Sequence, residues 1–280
     1  MSRVVNGKKL SAGRVLMYLL LLLFAVWTVA PVLLVVINSF KTPLEIKKVP
    51  PTLIFPPTLS NYEKAWTVGD FGRYFINSAV IAGSTTLISV LCGAMGGYAL
   101  MITKSRWAAI VSNLLLLGKL VPAITILIPF YMILNALGLF GNWLGPIMAH
   151  CSVNLPFVIW LMLGFMKEIP QEIFESGMID GARRTTVFWK LLVPMLLPAI
   201  GSALILSMQF SWNELMFSLQ LTTMDYYTLP VGIGKFVGAV SVDWGKSSAA
   251  ATVTMLPIII VGFMMQKYLV GGLTAGAVKG

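Results

Sequence analysis

Charge is scarce in this chain. Only 11% of its 280 residues are Asp, Glu, Lys or Arg, against roughly 25% in soluble domains, and that shortage excludes an ordinary water-facing globular surface. Acids are scarcer than bases, 10 against 20, so the formal charge is +10. Cysteine chemistry is excluded too. Cys92 and Cys151 both fall inside apolar runs and offer neither a disulfide framework nor a metal-ligand cluster. His150 is the single histidine and has no cysteine or carboxylate cluster near it in sequence, so neither a metal nor a catalytic role is expected of it. No His-Glu-x-x-His motif occurs, and no Gly-x4-Gly-Lys-Ser/Thr phosphate loop. The nearest look-alike, Gly245-Lys246-Ser247, has Val240 where the first glycine belongs. An intramembrane enzyme and a chain with its own nucleotide site are both disfavoured on these grounds.

Apolar sequence is abundant instead: 58% hydrophobic residues and a mean hydropathy of +0.87. A spanning helix needs about 20 mostly apolar residues, and six segments qualify, at residues 15–37, 76–101, 108–134, 143–166, 196–219 and 249–270. Arg3, Lys8, Lys9 and Arg14 precede the first, as they would in a secretory leader. Its apolar run is too long for one and lacks a small-x-small cleavage site, so it reads as a retained span. Basic residues concentrate in cytoplasmic segments. With the N-terminus inside, 12 of the 20 bases are cytoplasmic and 7 external, with Lys119 inside the third span. The expected architecture is all-α, with six transmembrane helices and both termini in the cytoplasm. Nucleic acid is excluded as a partner, because the bases separate apolar runs rather than forming one aromatic-studded patch.

Residues 38–75 contain Pro43, Pro50, Pro51, Pro56 and Pro57 and predict an ordered external loop with at most a short helix near residues 61–66. Gly93 and Gly97 form a small-xxx-small face in the second span, suited to close helix packing within one subunit. Pro122 and Pro129 predict kinks in the third. The segment joining spans four and five, residues 167–195, is too long and too patterned for a turn. Pro170 suits a helix start, Glu172 and Glu175 favour the positive end of the helix dipole, and Gly181 suits a stop. Ile173, Phe174, Met178 and Ile179 give this short helix more apolar surface than it can bury alone, rimmed by acids, Arg183 and Arg184. Such a surface is suited to docking another protein.

In these residues the chain resembles the permease subunits of ATP-binding-cassette importers. Their loop reads Glu-Ala-Ala, three residues, Gly, nine residues, Ile-x-Leu-Pro. Here Glu175-Ser176-Gly177 is followed by Gly181, then Leu191, Val193 and Pro194 at matching spacing, with small residues replacing small and apolar replacing apolar. Ile169-Pro170, Ile179-Asp180-Gly181-Ala182, Trp212-Asn213 and the closing residues 272–280 are similar to carbohydrate-uptake permeases related to the shorter permease of the maltose transporter. The resemblance covers residues 70–280 well and the first span more loosely. It implies a type I importer permease fold in a bacterial cytoplasmic (inner) membrane. Its implied partners are a homologous second permease forming a heterodimer, two cytoplasmic ATPase subunits and an extracytoplasmic solute-binding protein, with a sugar or polyol as cargo and lipid as surroundings. ATP and Mg would belong to the ATPase subunits, and this chain would bind no cofactor. Three regions follow: residues 1–70 with the first span and external loop, a core of five helices over 71–270 carrying the coupling loop 167–195, and a tail at 271–280 that would reach towards the ATPase pair.

Coupling is assigned to Glu172, Phe174, Glu175, Ser176, Gly177, Asp180, Gly181, Ala182 and Arg183, with Glu175 and Gly181 leading. Lys119 and Glu214 are ionisable groups inside expected spans. They either line a hydrophilic path or form a structural pair with one another or with the second permease. Gln209 and Asn213 could bond sugar hydroxyls, and Tyr131, Phe210 and Trp212 could stack on sugar faces, although core packing is the commoner fate. In maltose-type relatives sugar contacts fall largely on the other permease. A self-sufficient secondary transporter is the alternative. It would show internal repeats and an ion-coupling site, for which one Lys and one Glu in separate spans are thin support.

Overall fold

The protein's structure, a computed structural model, describes residues 12–274 apart from Val68, Lys104 and residues 239–241, with side chains over residues 13–266. Arg3, Lys8, Lys9, Lys104, Val240, Lys279 and residues 275–280 of the expected tail therefore lie outside the described residues, and Lys267 is described by its backbone alone. Among those described, regular structure is helical, with two isolated bridges and no strand. The helices are α1 (Ala12–Ser39), α2 (Pro43–Ile46), α3 (Ser60–Thr67), α4 (Phe71–Ile102), α5 (Arg106–Gly118), α6 (Ala123–Ala136) and α7 (Leu144–Glu168). After them come α8 (Gln171–Ile179), α9 (Arg184–Thr186), a π-helical turn (Val187–Leu192), α10 (Val193–Met195), α11 (Leu197–Asn213), α12 (Met216–Leu221), α13 (Leu229–Gly234) and α14 (Trp244–Thr274).

Four of these, α1, α4, α7 and α14, are continuous helices long and apolar enough to cross a membrane. The third and fifth expected spans are instead broken. Helices α5 and α6 meet at 95°, and the stretch Arg184–Met195 meets α11 at 78°. Counting each bent pair as one crossing gives the six expected. Proline explains both breaks. The end of α5 tightens into bonds from the Lys119 N–H to the Leu116 carbonyl and from Leu120 to Leu117, and Pro122 then cannot donate to continue the ladder. Pro129, also expected to kink, sits inside α6 without ending it. At the second bend Pro194 and Pro198 both lack the donor that a regular helix needs, the backbone widens into the π turn ahead of them, and the direction changes at Leu196.

Helices α4 and α7 pack most intimately, because glycine lets their backbones approach. A Cβ on Gly93 would meet Val158 Cγ1 at 2.5 Å, and one on Gly97 would meet the Leu163 backbone nitrogen at 3.1 Å. The small-xxx-small face thus serves packing within the chain, as expected. Helix α11 closes a three-helix core with them, through Val90, Ala94, Val158, Met162, Ala199 and Ala203. Helix α14 packs on α11, and α1 lies on α14. The loop after α1 is ordered around α3, as its prolines implied. The buried Asn61 amide donates to the carbonyls of Ser39 (2.9 Å) and Lys41 (2.7 Å), fixing the end of α1 to the loop.

Candidate functional site: the loop helix and the recess beside α11

Helix α8 begins immediately after Pro170 and stops where glycine allows it. Gly181 has φ +79°, the left-handed conformation that terminates helices. Its N–H donates to the Met178 carbonyl at 3.1 Å and the next N–H, of Ala182, reaches the Gly177 carbonyl at 3.1 Å. These are the two bonds of a Schellman cap. A Cβ at Gly181 would meet nothing within 4 Å, so the demand for glycine comes from the backbone alone.

Gly177 is the buried residue of α8. A Cβ there would lie 2.9 Å from Leu191 Cδ1 and 3.4 Å from Val187 Cγ2. The small residue and the apolar Leu191, fourteen positions apart in the motif, are therefore the two halves of one contact. Phe174 also turns inwards, half-buried against the cluster of Phe188, Leu192 and Leu196. The exposed apolar surface is correspondingly smaller than the four residues counted from sequence: Ile179 is 84% exposed and Met178 44%, with Glu172, Glu175, Ser176, Asp180, Arg183 and Arg184 exposed around them. Ala182 is half-buried. The return strand of the loop is pinned to α4, where the Tyr98 hydroxyl donates to the Arg184 carbonyl at 3.1 Å and its ring lies 5.2 Å from that of Phe188. Sequence reasoning passed over Tyr98, Val187 and Phe188, since nothing local marks an aromatic on one span as the anchor of a distant loop. A cavity of about 810 Å³ separates α8 from the adjacent ends of α4, α5 and α7. The loop helix thus packs on the π turn and borders open space towards α4, α5 and α7.

The second set of expected residues is only partly brought together. Gln209, Phe210, Asn213 and Glu214 line one open recess of about 440 Å³ on α11. The Lys119 ammonium lies over the rings of Phe157 (4.8 Å) and Phe210 (5.5 Å), at the α5–α6 bend. Gln209 and Asn213 are exposed and one helical turn apart. Amides on the outside of a membrane helix must meet protein or water rather than lipid. Tyr131 is elsewhere, against Phe140 at 5.2 Å. Trp212, a stacking candidate by sequence, is 2% exposed and donates its indole N–H to the Thr254 carbonyl of α14 at 3.1 Å. Core packing claimed it.

Glu214 is not in a helix, as the span count had assumed, but at the end of α11. Within this chain its partner is His150 rather than Lys119. His150 Nε2 lies 3.0 Å from Glu214 Oε2, and His150 Nδ1 lies 2.6 Å from Ser211 Oγ. The backbone N–H groups of Phe217 and Ser218 donate to the same carboxylate at 2.9 and 3.1 Å. The lone histidine is thus engaged on both ring nitrogens. Sixty-four positions separate it from Glu214, so only the rule that membrane charges seek partners could have suggested the pair. Among the described residues no group of three or more His, Cys, Asp and Glu could hold a metal.

Residues 89–274 match the family model described as "Binding-protein-dependent transport system inner membrane component". The chain is 34% identical over 259 residues to the trehalose transport system permease protein of Mycobacterium tuberculosis, covering 91% of this chain and 93% of that one. It is 30% identical over 286 residues to the sulfoquinovosyl glycerol transport system permease protein of Agrobacterium fabrum, covering 100% of both. Among solved structures it superposes on a chain of a bacterial ABC transporter involved in the import of the acidic polysaccharide alginate, with a TM-score of 0.78 at 20% identity, over 93% of this chain and 99% of that one. That likeness is one of fold.

Proposed function

The chain belongs to the family of binding-protein-dependent transport system inner membrane components, and from that premise we propose that it forms, with a homologous permease, the path by which an ATP-driven importer brings a sugar or sugar alcohol into a bacterial cell. As an ABC importer permease it is a transport subunit and not an enzyme. The solute would be delivered by an extracytoplasmic binding protein, and the energy would come from two cytoplasmic ATPase subunits holding ATP and Mg, this chain binding neither. The cargo class rests on the relatives, which are permease proteins of trehalose and sulfoquinovosyl glycerol transport systems.

The loop helix carries the reading. It is capped at one end by Pro170 and at the other by Gly181, it presents Met178 and Ile179 inside a ring of charge, and it is continuous through the π turn with α11 and through Ile169 with α7. A rigid helix held by an ATPase cleft would convert closure of the nucleotide dimer into rocking of α7 and α11. Glu172, Phe174, Glu175, Ser176, Gly177, Asp180, Gly181, Ala182 and Arg183 are the coupling residues, with Phe174 acting from the inner face. Gln209, Asn213, Glu214 and Lys119 border the path, where exposed amides and an ammonium over aromatic rings suit a hydroxyl-rich solute. Tyr131, packed on Phe140, stands apart from that recess.

Proteoliposomes containing the co-expressed permease pair and ATPase test this directly. Uptake of the solute bound by the cognate binding protein should require that protein outside and ATP on the ATPase side. Uptake by this chain alone, driven by sodium or protons, would overturn the proposal.

A further inference from the structure

The network around His150 is more strongly built than anything else joining α7 to α11. His150 is fully buried, the Glu214 side chain is 10% exposed, and four elements converge on them: α7 through His150, α11 through Ser211, the extended C-cap at Glu214 and the first turn of α12. The carboxylate accepts from two backbone N–H groups and faces the imidazole, so its position is fixed from three directions. Phe210 and Phe217 close the ring on two sides, at 5.9 and 6.0 Å, and Phe217 anchors α12 into the cluster of Leu134, Ala149 and Leu221.

Nearer the loop, the same seam is loosely tied. The next polar contact between the two helices is one long bond, from the Asn154 amide to the Ser207 carbonyl at 3.5 Å. The buried Ser207 hydroxyl of α11 has no hydrogen-bond partner among the described residues. Further on, the contacts are those of Val158, Met162, Leu192 and Ala199, which are apolar and non-directional and so tolerate small shears at little cost. A fixed point at one end and a sliding contact at the other is the geometry of a lever. Glu168, where α7 enters the loop, lies 18 residues from His150, or about 27 Å along the helix.

We propose that His150, Ser211 and Glu214 form the pivot about which α7 and α11 rock, holding the recess face of α11 in register with α7 while the loop end moves. They are positioning residues: they act on the path by fixing the helix that bears Gln209 and Asn213. The inference rests on the importer reading given above.

The test uses the complete permease–ATPase complex in proteoliposomes and reads solute imported per ATP hydrolysed, together with complex yield and thermal stability. His150→Ala should assemble and hydrolyse ATP but import at least about fivefold less solute per ATP, the lower range of site-to-site couplings. His150→Gln, whose amide can donate to Glu214 and accept from Ser211, should restore most of the ratio. An unchanged ratio in assembled His150→Ala, with only yield or melting temperature reduced, would mean a purely structural role and overturn the pivot. If His150→Ala does not assemble, Ser211→Ala removes a single hydroxyl and gives the same reading: a lowered ratio supports the pivot and an unchanged one overturns it. A wild-type complex without ATP-driven uptake would refute the importer reading itself, a result distinct from either.

Discussion

Replacing Gly181 by alanine isolates one physical term. The residue sits at φ +79° with open space where a Cβ would be, so the substitution introduces no clash, only the left-handed backbone penalty of about 1–2 kcal/mol. That penalty acts on the two cap bonds, from Gly181 to the Met178 carbonyl and from Ala182 to the Gly177 carbonyl, both 3.1 Å. The closed helix end should lose population by about 5- to 30-fold relative to its frayed form. Hydrogen exchange on the isolated permease reads this at the Ala182 amide, whose protection should fall by the same factor. Gly181→Asn should recover much of it, since asparagine tolerates the left-handed region. In the full complex, uptake per ATP should follow the same order: glycine, asparagine, alanine. Unchanged protection in Gly181→Ala would refute the cap argument. Normal protection in Gly181→Asn with abolished coupling would show instead that the glycine is required for close approach of the ATPase.

Three further perturbations test the surrounding geometry. Gly177→Ala should be tolerated by a small rotation of Leu191, whose Cδ1 lies 2.9 Å from the added Cβ, whereas Gly177→Leu should overpack the contact by about 1–3 kcal/mol and abolish uptake while leaving the bundle assembled, as size-exclusion chromatography will show. Tyr98→Phe keeps the ring against Phe188 and removes only the bond to the Arg184 carbonyl, worth about 0.5–1.5 kcal/mol; exchange at the π-turn amides should rise by the matching factor, and no change would mean the loop is held by apolar contact alone. Asp243, outside the spans at the start of α14, is pushed up by partial burial, but the bonds and charge of Lys246 outweigh this and hold its carboxyl below the usual aspartate range. Its stabilisation is therefore complete above the unfolded aspartate value and lost as pH falls through the lower folded one. Thermal unfolding should show that acid-side loss, and Asp243→Asn should remove it.

The length and placement of the long helices could be read from sequence because burial in hydrocarbon requires a run of apolar residues, and α1, α4, α7 and α14 each begin and end within a few residues of where those runs do. Both ends of α8 were equally legible, since Pro170 and Gly181 act through their own backbones. The bends were legible only in part. Pro122 and Pro129 look alike in sequence, yet one breaks its helix and the other does not.

The site behaved in the same way. Gln209, Asn213 and Glu214 stood out as candidates because polar groups in an apolar span announce themselves, and the loop residues because their spacing is local. The directions in which Phe174, Trp212 and His150 face were not legible, for a common reason. A membrane helix is apolar all round, so hydrophobic periodicity, which in a soluble helix marks the buried face, carries little information about direction. Nothing in the chain order says that Phe174 turns into the bundle, that Trp212 faces α14, or that the only histidine meets a carboxylate 64 positions away. The sequence by itself thus determined the number of crossings, the loop and its two caps, all set by composition and by single-residue backbone chemistry. Tertiary structure alone decided which faces meet, because that depends on which glycines let backbones close and on where a buried charge can find its partner.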